Sequence, residues 1–125
     1  MTVVTPIGSL AVAHAVAIQP DGRIVAAGYA ALGGEFQIAV ARYLTDGTLD
    51  ATFGGAGIVT VAYGNNSDDA VGMALQPDGK IVVAGAAQQI RYVLFRFASD
   101  GSLDPDFGTV GKVTTDVGNG GARDG

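Results

Sequence analysis

The chain has 125 residues, twenty of them glycine and none cysteine, with a formal net charge of −5. That length suits one domain, the lack of cysteine excludes disulfides and thiolate metal sites, and an acidic balance with scattered Lys and Arg argues against a nucleic-acid partner. No apolar run reaches the length of a membrane span, and residues 1–18 lack the positive start of a signal peptide, so an exported form would have lost its signal or carry it outside this sequence.

Met1 to Thr5 reads as a lone strand, and its pattern returns at 57–61 (GIVTV) and 111–115 (GKVTT). Gly8 to Ala13 reads as a linker. Val16 and Ile18 then alternate with Ala15 and Ala17, the period of two that puts large and small side chains on opposite faces of a strand. Pro20-Asp21-Gly22 supplies a turn: proline presets one backbone angle, aspartate bonds its own following backbone, and glycine accepts positive φ. Ile24 to Ala27 returns as the second strand of a hairpin. A loop, Tyr29 to Glu35, leads to a third strand, Phe36 to Leu44, in which Ile38, Val40 and Arg42 alternate with Ala39, Ala41 and Tyr43. The glycines and aspartates of TDGTLDATFGGAG (45–57) speak for a turn-rich connection rather than a helix, and Ile58 to Ala62 is the fourth strand.

After a far more polar linker, Gly64 to Asp69, the unit starts again. GMALQPDGKIVVAG (72–85) repeats AVAIQPDGRIVAAG (15–28), a shorter loop (86–89) leads to a third strand Ile90 to Ala98, and SDGSLDPDFGTVG (99–111) leads to Lys112–Asp116. Asp21 and Asp78 are 57 residues apart but Asp46 and Asp100 only 54, so three residues were gained or lost between the second and third strands. The closing VGNGGARDG reads as the start of a linker to a further hairpin.

Repeated four-stranded units of this period predict an all-β chain of two antiparallel propeller blades, blade 1 about 11–62 and blade 2 about 68–116, in a single module 1–125 with residues 1–5 as an extra outer strand. An eight-stranded β-sandwich is the alternative, although a sandwich does not require near-identical halves. The units AVAIQPDGRIVAAG with ARYLTDGTLDATFGGAGIVT, and ALQPDGKIVVAG with FRFASDGSLDPDFGTVGKVTT, also resemble the bacterial delta-60 repeat across essentially the whole chain. That resemblance implies a propeller blade, an extracellular or cell-surface setting, and no established activity, so no catalytic or binding residue is carried over from it.

A propeller closes with about four to eight blades, and two blades leave two faces bare, carrying residues such as Ile18, Ile24 and Val40. The chain is therefore expected to self-associate, as a homotrimer of six blades or a homotetramer of eight. The surplus outer strand at 1–5 either completes a blade in a neighbouring chain or frays.

The chemistry is sparse. His14 is the only histidine; it aligns with Val71, shares a face with Val16 and Ile18, and reads as a structural strand residue rather than an acid–base group. Ser9 lies nearby without an acidic orienter. Asp46-x-Thr48-x-Asp50 and Asp100-x-Ser102-x-Asp104 have the spacing of a calcium loop but lack its sixth-position glycine and twelfth-position glutamate, so they read as turns. Arg42 and Arg96, equivalent in the two units, are expected to bond Asp50 and Asp104. The segments GGAG and GNGG lack the lysine of a phosphate loop. No catalytic residue, metal or cofactor is assigned. If a ligand site exists, it should lie where the units differ: in the rim loops at Asn65, Asn66, Asp68 and Asp69, and at Gln88, Gln89 and Arg91.

Three functions follow. The first is a non-enzymatic, self-assembling scaffold or binding module that presents rim loops to a protein or glycan; the absence of tryptophan leaves Tyr29, Tyr63 and Tyr92 to stack on a sugar. The second is a hydrolase or lyase with its site in the propeller channel, for which His14, Asp68 and Asp69 are the available tools. The third is an excised or engineered piece of a longer propeller with no separate activity.

Overall fold

The computed structural model of the chain describes residues 10–32, 35–62, 71–87, 91–109 and 111–116. Its strands are β1 (Leu10–Ile18), β2 (Ile24–Leu32), β3 (Glu35–Tyr43), β4 (Ile58–Ala62), β5 (Val71–Leu75), β6 (Ile81–Ala87), β7 (Arg91–Phe97) and β8 (Lys112–Asp116). They form two four-stranded antiparallel sheets, β1-β2-β3-β4 and β5-β6-β7-β8, with no helix among the described residues. The predicted pair of blades is what the chain adopts, and β4 and β8 have the predicted bounds.

Each hairpin turns as its sequence dictates. The Gly22 amide donates to the Gln19 carbonyl at 2.8 Å, the Gln19 amide to the Arg23 carbonyl at 2.8 Å, and Gly22 has φ +92°. This is a three-residue loop with its left-handed position filled by glycine. The Asp21 carboxylate accepts the Arg23 amide at 3.0 Å, and Asp78 does the same for Lys80 at 3.1 Å.

Several bounds change, and in blade 2 the strand β6 runs through Ala87, two residues into the expected 86–89 loop, while β7 spans Arg91–Phe97 rather than 90–98. Residues 10–13, read as linker, already belong to β1 and pair with Gly28–Ala31; residues 29–32, read as loop, complete β2, and β3 begins at Glu35. The cause is a β-bulge at His14, where the register shifts between Ala13 and Ala15. One extra residue breaks the period of two, so the first half of β1 does not continue the alternation seen from Ala15 to Ile18. Gly28 lies opposite the bulge, and a Cβ there would collide with the Val12 carbonyl oxygen.

The pairing sorts each blade into two faces. In blade 1, Ala17, Val25 and Arg42 share one face with Ala27, Val40 and Val59, while Ile18, Ile24 and Tyr43 share the other with Val16, Ala26 and Ala41. The core is the seam between the blades: the first face of blade 1, with Val25, Ala27, Ile38 and Val40 fully buried, lies against the second face of blade 2, with Ile81, Val83, Val93, Phe95 and Phe97 fully buried. Phe53, also buried, closes the seam from the connection after β3. Val40, expected on a bare face, is thus interior, whereas Val16 and Ile18 are 69% and 70% exposed.

Candidate functional site

The polar groups that the fold gathers lie at the seam's turn-bearing end. After β3 the chain makes a tight turn, with the Leu44 amide on the Thr48 carbonyl at 2.8 Å, and then returns Asp50 to the strand through a bond from its amide to the Arg42 carbonyl at 2.9 Å. That places the Asp50 carboxylate beside the Arg42 side chain eight residues earlier. Arg42 Nε donates to Asp50 Oδ2 at 2.9 Å, and both side chains are almost wholly buried. Arg23 Nε reaches the same oxygen at 3.3 Å, while the Thr52 amide and hydroxyl occupy Oδ1 at 3.0 and 2.6 Å. The bond from Thr52, with the Arg42 charge adding to it, holds the Asp50 carboxyl below its ordinary 3.8 against the upward push of burial.

Blade 2 repeats the device. Arg96 Nε meets Asp104 Oδ2 at 2.9 Å, and Lys80 takes the place of Arg23 at 3.1 Å. Each arginine lies over the following phenylalanine, Arg42 on Phe53 at 4.8 Å and Arg96 on Phe107 at 4.7 Å, a cation–π contact. The Asp106 amide donates to Asp104 Oδ1 at 3.1 Å, and this bond together with Lys80 lowers the Asp104 carboxyl. The expected Arg–Asp pairs are therefore present in both units.

The seam-crossing bonds also separate the copies. Arg42 Nη1 crosses the seam and donates to the Ser99 carbonyl at 2.7 Å, and the Gly54 amide donates across it to the Asp100 carbonyl at 2.7 Å. Gly101 fits beneath, since a Cβ on it would stand 2.8 Å from the Gly54 nitrogen. Beside this latch opens a cleft of about 320 Å³ whose lining includes Gln19, Asp21, Arg23, Arg42, Asp78 and Ser99. Gln19 is 8% exposed, and its Oε1 accepts no bond among the described residues; the equivalent Gln76 Oε1 is the same. An orphan that recurs at the same turn in both blades is a property of the blade, satisfiable by water, and not a specific ligand contact.

Asp46 and Asp100 bond Thr48 and Ser102, each through amide and hydroxyl, and these bonds lower both carboxyls. They are turn-formers, as the failed calcium-loop match implied. Among the described residues no group of three or more His, Cys, Asp or Glu could hold a metal ion. His14 is exposed at the bulge, and its ring stacks on Tyr29 at 5.5 Å. Tyr29 pairs with Val12 and Ile38, on the face opposite Val16 and Ile18, so the bulge has turned His14 from the face that simple alternation gave it.

Asn65, Asn66, Asp68, Asp69, Gln88 and Gln89 lie outside the described residues, as does Ser9. Arg91 opens β7, its backbone paired with Ala87 and Asp116, and its side chain lies outside the description. The strand ends from which those segments depart, Ala62, Val71, Ala87 and Arg91, are at the opposite end of the sheets from the arginine latch.

Residues 19–53 and 76–107 match the family described as domain of unknown function (DUF5122) beta-propeller. The chain belongs to this β-propeller family. Its two matched segments start at the equivalent glutamines Gln19 and Gln76 and take in the hairpin turn, the second and third strands and the arginine–aspartate pin of each blade, so the family pattern coincides with the polar frame described above. No curated protein and no solved structure gave a match. Among the described residues no helix is long and apolar enough to cross a membrane.

Proposed function

We propose that this DUF5122 chain is a non-enzymatic, self-assembling scaffold or binding module, a single unit over 1–125 whose homotrimer or homotetramer forms a ring of six or eight blades. The carrying observation is the exposure of equivalent residues: Val16 and Ile18 stand in solvent, whereas Met73 and Leu75 pack against the core. Large aliphatic side chains at such exposure on a sheet face speak for a missing neighbour.

In this reading the repeats are of the delta-60 type, in keeping with a bacterial extracellular or cell-surface protein. The loops at Asn65, Asn66, Asp68, Asp69, Gln88, Gln89 and Arg91 form the rim offered to a protein or glycan, because they differ between blades while the arginine–aspartate pairs at the other end recur in both. Residues 1–5 add an outer strand to a neighbouring chain.

Native mass by light scattering, with and without residues 1–6, tests this. A trimer or tetramer that dissociates on truncation supports the ring and its exchanged strand. A folded monomer of 12.5 kDa at all concentrations overturns the assembly.

A further inference from the structure

We propose that the seam between chains copies the seam within the chain: the outer face of blade 2 of one copy docks on the outer face of blade 1 of the next, with Arg96 donating to the Thr45 carbonyl of that second copy. This rests on the assembly proposed above and specifies its geometry.

The two bare faces are the repeat equivalents of the two faces already joined. On blade 2, Val82, Ala84 and Leu94 are partly exposed, while their counterparts Val25, Ala27 and Val40 are buried in the internal seam. On blade 1, Ile24 and Ala26 are partly exposed, while their counterparts Ile81 and Val83 are buried in it. Each bare face is therefore the repeat equivalent of a face joined in the internal seam, and the equivalent of that face's partner is the other bare face.

The polar latch is half-built in the same way. The Arg42 side chain is 5% exposed and bonds Ser99 across the seam; the Arg96 side chain is 21% exposed and, among the described residues, hydrogen-bonds only Asp104. The counterparts of Ser99 and Asp100 are Thr45 and Asp46, and they line an open cleft of about 340 Å³ with Asp21, Arg23 and Leu44. In a copied seam Arg96 enters that cleft, and the Gly108 amide, counterpart of Gly54, meets the Asp46 carbonyl. The apolar surfaces also exchange bulk: blade 1 offers Ala26 and Ala41 where blade 2 has Val83 and Phe95, and the facing strand has Leu94 where blade 1 has Val40. Pairing unlike faces is heterologous, the arrangement that generates rings when the rotation closes. Pairing like faces would leave every Arg96 without its carbonyl.

The test uses Ile18→Asp, which spoils only the blade 1 face, and Ala84→Asp, which spoils only the blade 2 face. Each variant alone should scatter as a monomer of 12.5 kDa, and an equimolar mixture should give a species of twice that mass, because one competent seam remains and the ring cannot close. Val16→Asp and Ala74→Asp, exposed on the same two faces, replace either variant that loses its far-ultraviolet sheet signal. A variant that still dimerises alone, or a mixture that stays monomeric while the unaltered chain is oligomeric, overturns this seam and leaves the assembly standing. A monomeric unaltered chain overturns both. Arg96→Gln should raise the dissociation constant of the mixed pair at least about tenfold, the value of a hydrogen bond from a charged group; an unchanged constant removes Arg96 from the seam.

Discussion

Asp50→Asn probes the internal latch directly. The substitution keeps the volume and the Thr52 bonds but removes the counter-charge from Arg42, whose side chain is 5% exposed and whose Nε–Oδ2 distance is 2.9 Å. Breaking one partner of a buried pair costs about 3–5 kcal/mol. The Ser99 carbonyl still holds Nη1 and an asparagine oxygen still accepts from Thr52, so the lower end, about 3 kcal/mol, is the working figure, or roughly a hundredfold in the folding equilibrium. Asp46→Asn is the control: Asp46 is exposed and shapes only its own turn, which asparagine also forms, so the cost should stay within about 0.5 kcal/mol. Urea unfolding at pH 7, followed by circular dichroism at one protein concentration because assembly links stability to concentration, reads both values. Asp50→Asn within about 1 kcal/mol of the unaltered chain, or no worse than Asp46→Asn, would refute the account of Arg42 as a buried charge dependent on Asp50.

Three further outcomes follow from the same structure. The lowered carboxyls of Asp50 and Asp104 give stability that is complete above an unfolded value of about 3.9 and is lost as pH falls through the lower folded values; thermal melts between pH 7 and 3 should drop at the acid end, with a shallower drop in Asp50→Asn. Gly28→Ala should cost about 1–3 kcal/mol, since its Cβ meets the Val12 carbonyl across the bulge, whereas Gly72→Ala has open space around it and should be tolerated; denaturant midpoints compare the two. Phe53→Ala empties the seam and should cost about 3–5 kcal/mol, while the partly exposed counterpart Phe107→Ala costs distinctly less when both are unfolded below the assembly concentration.

Much of the blade was legible before any coordinates. Pro20-Asp21-Gly22 and Pro77-Asp78-Gly79 set their turns by bonds within a few residues, and the eight-residue step from Arg42 to Asp50, repeated from Arg96 to Asp104, signalled a local pair. The start of β1 was hidden because the extra residue at His14 breaks the period, and residues 29–32 look like a loop because the strand they pair with is that same hidden half of β1. The candidate rim at Asn65 to Asp69 and Gln88 to Arg91 rests on differences between the two units, and apart from the Arg91 backbone it lies outside the described residues.

The sequence by itself determined everything that depends on near neighbours: strand alternation, turn chemistry, the repeat and hence the two blades. Only the tertiary structure decided which face of each blade is interior. Alternation marks Val40 and Ile18 equally as large apolar residues on opposite faces, but Val40 is buried and Ile18 exposed because blade 2 covers one side of blade 1 and not the other. Burial is set by which surfaces meet across fifty or more residues of chain, and a period of two carries no record of that partner.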